Sequence, residues 1–319
     1  IDITMCRPDR KTATRASTKM EDEPKDNDNP KGTKLLPAPK LRLSQFFDIN
    51  EPWVLVPNGS FRGHFDNVPE SFRVGPWNIC CSVYLFALVY WILWKCVQCY
   101  NDPPDNASDH TAFDTNTWQW YYNAAGFGWA GFIAYRVAKS AFGLGAWVTF
   151  TLQSWTLITL RHGLSTLAPF FPAVIQYNEY LRFAMLLQTT IVFVLWNFAL
   201  LPAIYMTMKP KARWPFLKFC FGFDLFNLHI VNLPLAVMNG VYASPARELH
   251  QIDFCVALML ALQYVLFYLF FLDRIGVHLY FIFSPRSPLA LVSWSAFIGC
   301  LYAGFAVWKH VVLEYGTPL

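Results

Sequence analysis

Long apolar runs dominate this chain and limit the folds that it can adopt. Only 14% of the residues are charged, against about 25% in soluble domains. The apolar runs are about twenty residues long, which is the length that a helix needs to cross a bilayer. They lie at residues 77–99, 143–168, 182–206, 216–241, 252–272 and 288–312. The sequence therefore predicts an all-α, polytopic membrane protein with a six-helix transmembrane bundle at residues 76–319.

The segment before the first run has a different composition. Residues 1–45 are polar, contain several prolines and hold almost no aromatic side chains, so they cannot form a core of their own. We expect a disordered or extended polar tail over residues 1–75, or one that lies on partner subunits. Its first residues suit an organelle transit segment as well as a cytosolic tail. The compartment, an endomembrane or an organelle inner membrane, is therefore left open.

A shorter apolar piece, "AAGFGWAGFIAYRVA", begins at Ala124. It is too short to span comfortably, and we predict an interfacial or partly buried helix. Lys and Arg form no long block, so membrane lipids are expected partners and nucleic acid is not.

The eight cysteines are scattered and form no disulfide framework. Cys96 and Cys99 make a C-x-x-C at the end of the first run. Without a second pair or nearby histidines, this motif is weak evidence for a metal site, and helix-end residues are the simpler interpretation. The chain also contains no Gly-rich phosphate loop and no haem-attachment motif. We therefore predict neither a metal nor a cofactor.

Polar residues interrupt the fourth run, "FDLFNLHIVNLPLAVMNGV" at residues 223–241. On a helix with 100° per residue, His229, Asn232 and Asn239 fall within an arc of about 80°. Polar groups at membrane depth usually face a protein interior or a cavity. We therefore predict that this face looks into the bundle, with Asp224 and Asn227 beside it nearer one end.

The second run also carries a polar pattern, because Thr149, Gln153 and Thr156 recur at i, i+4 and i+7. We expect this face to turn inward too. Such residues often do no more than hydrogen-bond across helices, at roughly 0.6 kcal/mol each. A hydroxyl beside the imidazole of His229 would instead suit nucleophilic catalysis. Asn232 or Gln153 could then orient the imidazole or donate to an oxyanion.

Three stretches together resemble a known family. They are "FTLQSWTLITL" at Phe150–Leu160, "NLHIVNLPLAVMNGVYASPARELH" at Asn227–His250 and "GVHLYF" at Gly276–Phe281. Their order is similar to that in the rolling stone proteins and the related androgen-induced, FAR-17a-type membrane proteins. The resemblance covers about residues 140–315.

The resemblance implies an activity, since some members of the wider family are intramembrane threonine hydrolases that cleave fatty-acid esters of hydroxy fatty acids. Carried onto this chain, His229 is the catalytic histidine and Thr151 the nucleophile, with Thr149 nearly as similar in context. His250 takes the second histidine position. The long polar loop from Cys99 to Lys139 departs from the pattern. A non-enzymatic scaffold or an accessory subunit of a larger membrane complex is the alternative.

Overall fold

The protein is an all-helical bundle in the parts that its computed structural model describes, which are residues 75–101, 113–140, 143–207, 210–273 and 280–317. The predicted polar tail up to residue 74 lies outside these segments. The helices are α1 (Ile79–Asn101), α2 (Trp118–Lys139), α3 (Phe150–Leu167), α4 (Ala173–Met206), α5 (Pro210–Cys220), α6 (Phe223–Tyr242), α7 (Gln251–Leu272) and α8 (Leu289–Tyr315).

Five of the described helices are long and apolar enough to cross a membrane, namely α1, α4, α6, α7 and α8. The prediction of a polytopic helical membrane protein is therefore confirmed. The predicted run at 143–168 forms a 3₁₀ turn at Gly143–Val148 followed by α3. Helix α3 is not among the five, because polar and charged residues such as Gln153 and Arg161 reduce its hydropathy.

Helix α2 is longer than the short piece that the sequence predicts. It is partly buried, as expected, but it has 22 residues and lies along α3. At one end the Trp120 indole donates to the carbonyl of Thr166, near the end of α3, at 3.0 Å. At the other end Arg136 forms a salt bridge with Asp224 of α6 at 2.7 Å. Helix α2 therefore runs along the bundle from the end of α3 to the start of α6, and it does not lie flat across one end of the bundle as an interfacial helix would.

Polar side chains meet inside the bundle near both ends of α3, where it contacts α6. Helix α3 begins beside the first turns of α6, and it ends beside the last turn of α6 and the first turns of α4. Two separate polar clusters result, one at each end of α3. The first holds Thr151 and His229, and the second holds a group of buried charges.

Candidate functional site

The Thr151 hydroxyl lies beside the His229 imidazole, with Oγ1 at 3.5 Å from Nε2. His229 is buried, and the indole of Trp196 stacks on its ring with centroids 4.0 Å apart and planes at 19°. The family resemblance implies a pairing of these two residue types, and their role in catalysis stays a prediction. We call these two residues the Thr151–His229 pair.

One hydrogen bond fixes how the imidazole of His229 can act. Its Nδ1 lies 3.0 Å from the carbonyl oxygen of Leu225, one turn earlier in α6. A carbonyl oxygen can only accept, so Nδ1 carries a proton, and in the neutral imidazole Nε2 then presents its lone pair. The Thr151 hydroxyl therefore donates to Nε2. This is the arrangement in which a histidine can take a proton from a nucleophile.

The backbone of α6 widens at His229, where Asn227–Val231 form a π turn. Pro234 follows closely; it has no N–H, and its ring disfavours a regular α-helical turn before it. The carbonyl of His229 instead accepts from the side-chain amide of Asn197 at 3.0 Å. Asn197 itself lies in a second π turn, Leu195–Leu200 of α4. Such π turns often occur at functional sites.

The two candidate threonines of α3 have different roles. Thr149 is the N-cap residue: its Oγ1 accepts from the N–H of Leu152 at 3.3 Å and donates to the carbonyl of Ala146 at 2.8 Å. Its hydroxyl is therefore engaged in starting the helix. Thr151 is the second residue of α3, and its hydroxyl faces His229. The geometry favours Thr151 over Thr149 as the partner of the histidine.

A second hydroxyl group lies close to that of Thr151. Thr151 is in the first turn of α3, where the helix dipole has its positive end. The Tyr280 hydroxyl lies within hydrogen-bonding reach of Thr151 and of the Phe150 N–H. Burial raises the pKa of Tyr280 above its ordinary value, so its hydroxyl stays protonated. Tyr280 belongs to the "GVHLYF" stretch, which is the signal by which the sequence could have identified it.

The hydrogen bonds of the predicted supporting residues, where the structure gives them, are not to the pair. Gln153 is half-buried two residues after Thr151, whereas the group that orients the imidazole is the Leu225 carbonyl. Asn232 is buried, but its side-chain oxygen accepts from the N–H of Leu233 at 2.8 Å. His250 caps α7 together with Asp253 at the opposite end of the bundle. His250 is therefore distant from the pair, and the supporting roles of Gln153 and Asn232 stay predictions.

The polar faces of α3 and α6 also differ from each other. In α6, as predicted, Asn227, His229, Asn232 and Asn239 are all buried. In α3 the prediction is wrong for Thr156, which is exposed. Its hydroxyl donates to the carbonyl of Leu152 four residues earlier, at 2.8 Å. A hydroxyl satisfied by its own helix can face lipid, so this residue needs no interior partner.

A buried ionic network occupies the other end of α3. Glu179 of α4 accepts from Arg161 at 3.1 Å, from Arg182 at 3.1 Å and from Arg247 at 2.7 Å. Arg247 also binds Asp253 with two bonds of 2.7 and 2.8 Å. Burial by itself would lower the pKa of Arg247, but the two carboxylates outweigh it and raise that pKa. The sequence analysis did not single out any of these charges.

The network contains three guanidinium groups and two carboxylates, and neutral oxygens accept further hydrogen bonds from it. Arg161 donates to the Asn239 side chain and to the Ser244 hydroxyl. Arg182 donates to the Gly240 carbonyl at 2.6 Å. Carbonyls at a helix C-terminus carry partial negative charge, so the end of α6 offsets the extra positive charge. Asn239 therefore accepts a hydrogen bond from Arg161 in the ionic network, and it does not belong to the cluster of Thr151 and His229.

His162, next to Arg161, is fully buried and fitted closely against α2. Its Nδ1 lies 3.0 Å from the Asn123 side-chain oxygen and 3.3 Å from the Asn239 amide. A Cβ atom on Gly126 would come within 2.5 Å of the imidazole. The glycine therefore permits the close approach of α2 and α3.

Gly126→Ala should lower the free energy of unfolding by about 1–3 kcal/mol, which is the usual cost of forcing extra atoms into a packed interior. Gly128→Ala, in the same helix, is the control, because a Cβ there would meet nothing within 4 Å. Both variants can be compared by denaturant titration in micelles. Equal stability of the two would contradict the close packing at His162.

A small cavity lies beside the ionic network. Its lining includes the polar side chains of Asn123, Ser165, Asn178 and Ser244, together with apolar residues such as Trp120. None of its lining residues belongs to the Thr151–His229 pair. An acyl-sized pocket at the pair stays a prediction.

The comparisons with known proteins give no relative. No family model, curated protein or solved structure matches the chain. The family resemblance therefore remains a prediction from the three sequence stretches.

Proposed function

We propose that this integral membrane protein is an intramembrane ester hydrolase in which Thr151 is the nucleophile and His229 the general base. The observation that carries the proposal is a chain of two contacts. The Thr151 hydroxyl lies beside Nε2 of His229, and Nδ1–H of the same imidazole donates to the carbonyl of Leu225. The carbonyl holds the imidazole in the tautomer that a base requires. A nucleophile, its base and a group that orients the base are thus aligned.

The proposed reaction proceeds in two stages. In the first, the Thr151 oxygen attacks the acyl carbon while its proton moves to Nε2 of His229. The tetrahedral adduct then collapses, and the leaving alcohol takes that proton. In the second stage His229 deprotonates a water molecule, which attacks the acyl-threonine. The bond to the Thr151 oxygen then breaks, His229 returns the proton to that oxygen, and the fatty acid is released. The Tyr280 hydroxyl, which lies within hydrogen-bonding reach of Thr151, is suited to stabilise the oxyanion.

The apolar bundle favours a lipid substrate. A hydrolytic pair within a membrane domain meets acyl chains that diffuse laterally, and each buried methylene contributes about 0.8 kcal/mol to binding. Fatty-acid esters, the substrate class that the family resemblance implies, fit this environment.

A fluorophosphonate probe should label the wild-type chain in membranes. Labelling should disappear in Thr151→Val, which keeps the side-chain shape, and in His229→Asn, whose amide can still donate to Leu225. It should persist in Thr151→Ser, which keeps the hydroxyl. Thr159→Val is the matched control, since the Thr159 hydroxyl donates within its own helix, to the carbonyl of Trp155 at 2.9 Å.

Undiminished labelling of folded Thr151→Val would exclude Thr151 as the nucleophile. Loss in Thr149→Ala alone would transfer that role to Thr149. No labelling of the wild-type chain by probes of several acyl lengths would favour the scaffold or accessory-subunit alternative.

A further inference from the structure

Two cysteines from distant parts of the chain meet at one end of the bundle. The sulfur atoms of Cys99 in α1 and Cys255 in α7 are 2.9 Å apart. Both thiols are free in the structure. A disulfide needs sulfurs about 2.05 Å apart, so less than about 1 Å of movement would join them.

The C-x-x-C motif does not supply this pair. The Cys96 thiol donates to the backbone carbonyl of Cys255, at 3.8 Å. The Cys99 thiol faces the Cys255 sulfur instead. The Cys96 thiol also lies within hydrogen-bonding reach of the Cys255 thiol, so both cysteines of the motif approach α7. The short sulfur–sulfur contact of 2.9 Å joins Cys99 to Cys255.

The pair lies where a water-soluble reagent can reach it. Cys99 is near the last residue of α1, Asn101, and Cys255 is near the first residue of α7, Gln251. Helix ends of membrane spans lie at the interface with water. Cys99 is half-buried and Cys255 is buried, so Cys99 is the more accessible thiol.

A covalent link at this position would add to the few buried contacts that join helix α1 to the bundle. Helix α1 buries few of its side chains, namely Cys81, Leu85 and Ile92. Most of its other large apolar residues are exposed, including Ile79, Val83, Phe86 and Tyr90. Its contacts with the rest of the bundle are mainly with α7.

We infer that Cys99 and Cys255 form a reversible disulfide that links α1 to α7, by exchange with a small-molecule disulfide of the glutathione type. The Cys99 thiolate attacks one sulfur of the oxidant and displaces a thiolate, which takes up a proton. The deprotonated Cys255 then attacks Cys99 in this mixed disulfide and displaces the second thiol. Two electrons pass from the two cysteines to the oxidant, which is reduced to two thiols.

The test uses the full-length chain in native membrane vesicles, treated with glutathione disulfide. Free thiols are blocked with N-ethylmaleimide, the disulfides are then reduced, and the released thiols are labelled with a mass-tagged maleimide. Mass spectrometry of the non-reduced digest should show the peptide containing Cys99 linked to the peptide containing Cys255. Cys96→Ser, the matched control on the same helix, should give the same linked peptides.

Two variants separate the steps of the exchange. Cys255→Ser should stop at a mixed disulfide between Cys99 and glutathione. Cys99→Ser should lose the linked peptides and the two mass tags that depend on reduction. Absence of the linkage in wild-type chain would overturn the inference. So would a linkage that persists in Cys99→Ser and disappears in Cys96→Ser.

Discussion

Glu179→Ala should strongly destabilise the bundle. Removing one partner of a buried ion pair typically costs about 3–5 kcal/mol, because it leaves an uncompensated charge in a medium that solvates it poorly. Glu179 accepts from three guanidinium groups, two of which are fully buried. The variant would leave Arg161 and Arg182 without this carboxylate, so we expect a loss of folding free energy at the upper end of that range.

The free energy of unfolding can be measured by titrating denaturing detergent into micelles that contain the wild-type or variant chain. Glu248→Ala is the control. Glu248 pairs with Lys309 at 2.7 Å on the surface, and this bond holds the pKa of Glu248 below its ordinary value. Exposed pairs contribute little to stability, so this variant should match the wild type. A Glu179→Ala variant as stable as Glu248→Ala would show that the network is not needed to hold the helices together.

The inward face of α6 could be predicted because its signal is local. Few side chains in that run are polar, and the 3.6-residue period alone places them on one face. The same reasoning gave a wrong result for Thr156 in α3, since a threonine can satisfy its hydroxyl within its own helix. The sequence pattern does not distinguish a threonine that needs an interior partner from one that does not.

The ionic network could not be predicted from periodicity, although a signal was present. Arg161 lies within an apolar run, and intramembrane charges are rare and usually paired. Glu179 and Arg182 lie where hydropathy falls at the start of α4, so the predicted third run began only at residue 182. Their pairing with Arg161 depends on how the helices pack, which one sequence does not reveal. Asn239, which the sequence analysis had grouped with His229, therefore belongs to the ionic network instead.

The prediction that Thr151 lies beside His229 depended on two kinds of information. The sequence supplied the residue types, and the resemblance supplied the pairing of one threonine with one histidine. To choose between Thr151 and Thr149, one must know at which residue α3 begins. Thr149 is the N-cap of this helix, and its hydroxyl is engaged there. Helix boundaries are uncertain by one or two residues even in a known structure. A sequence pattern could not have settled that choice.

Thr151→Val and His229→Asn should each reduce kcat/KM for a long-chain fatty-acid ester by about 10³-fold or more, if the two residues act as proposed. The double variant should be no slower than the slower single variant. Residues that act as one catalytic unit have non-additive effects, because removing either one abolishes the same step. Thr151→Ser should retain activity, since it keeps the attacking oxygen.

Hydrolysis of esters in mixed micelles measures this directly, with Thr159→Val as the control for changes in α3 that leave the pair intact. The length of the acyl chain supplies an independent check on the lipid assignment. Each added methylene that is buried should contribute about 0.8 kcal/mol of binding free energy. We therefore expect kcat/KM to rise roughly fourfold per carbon until the site is filled. Multiplicative losses in the double variant would mean that the threonine and histidine act separately. In that case the 3.5 Å contact would be a packing contact, in which Thr151 satisfies a buried imidazole.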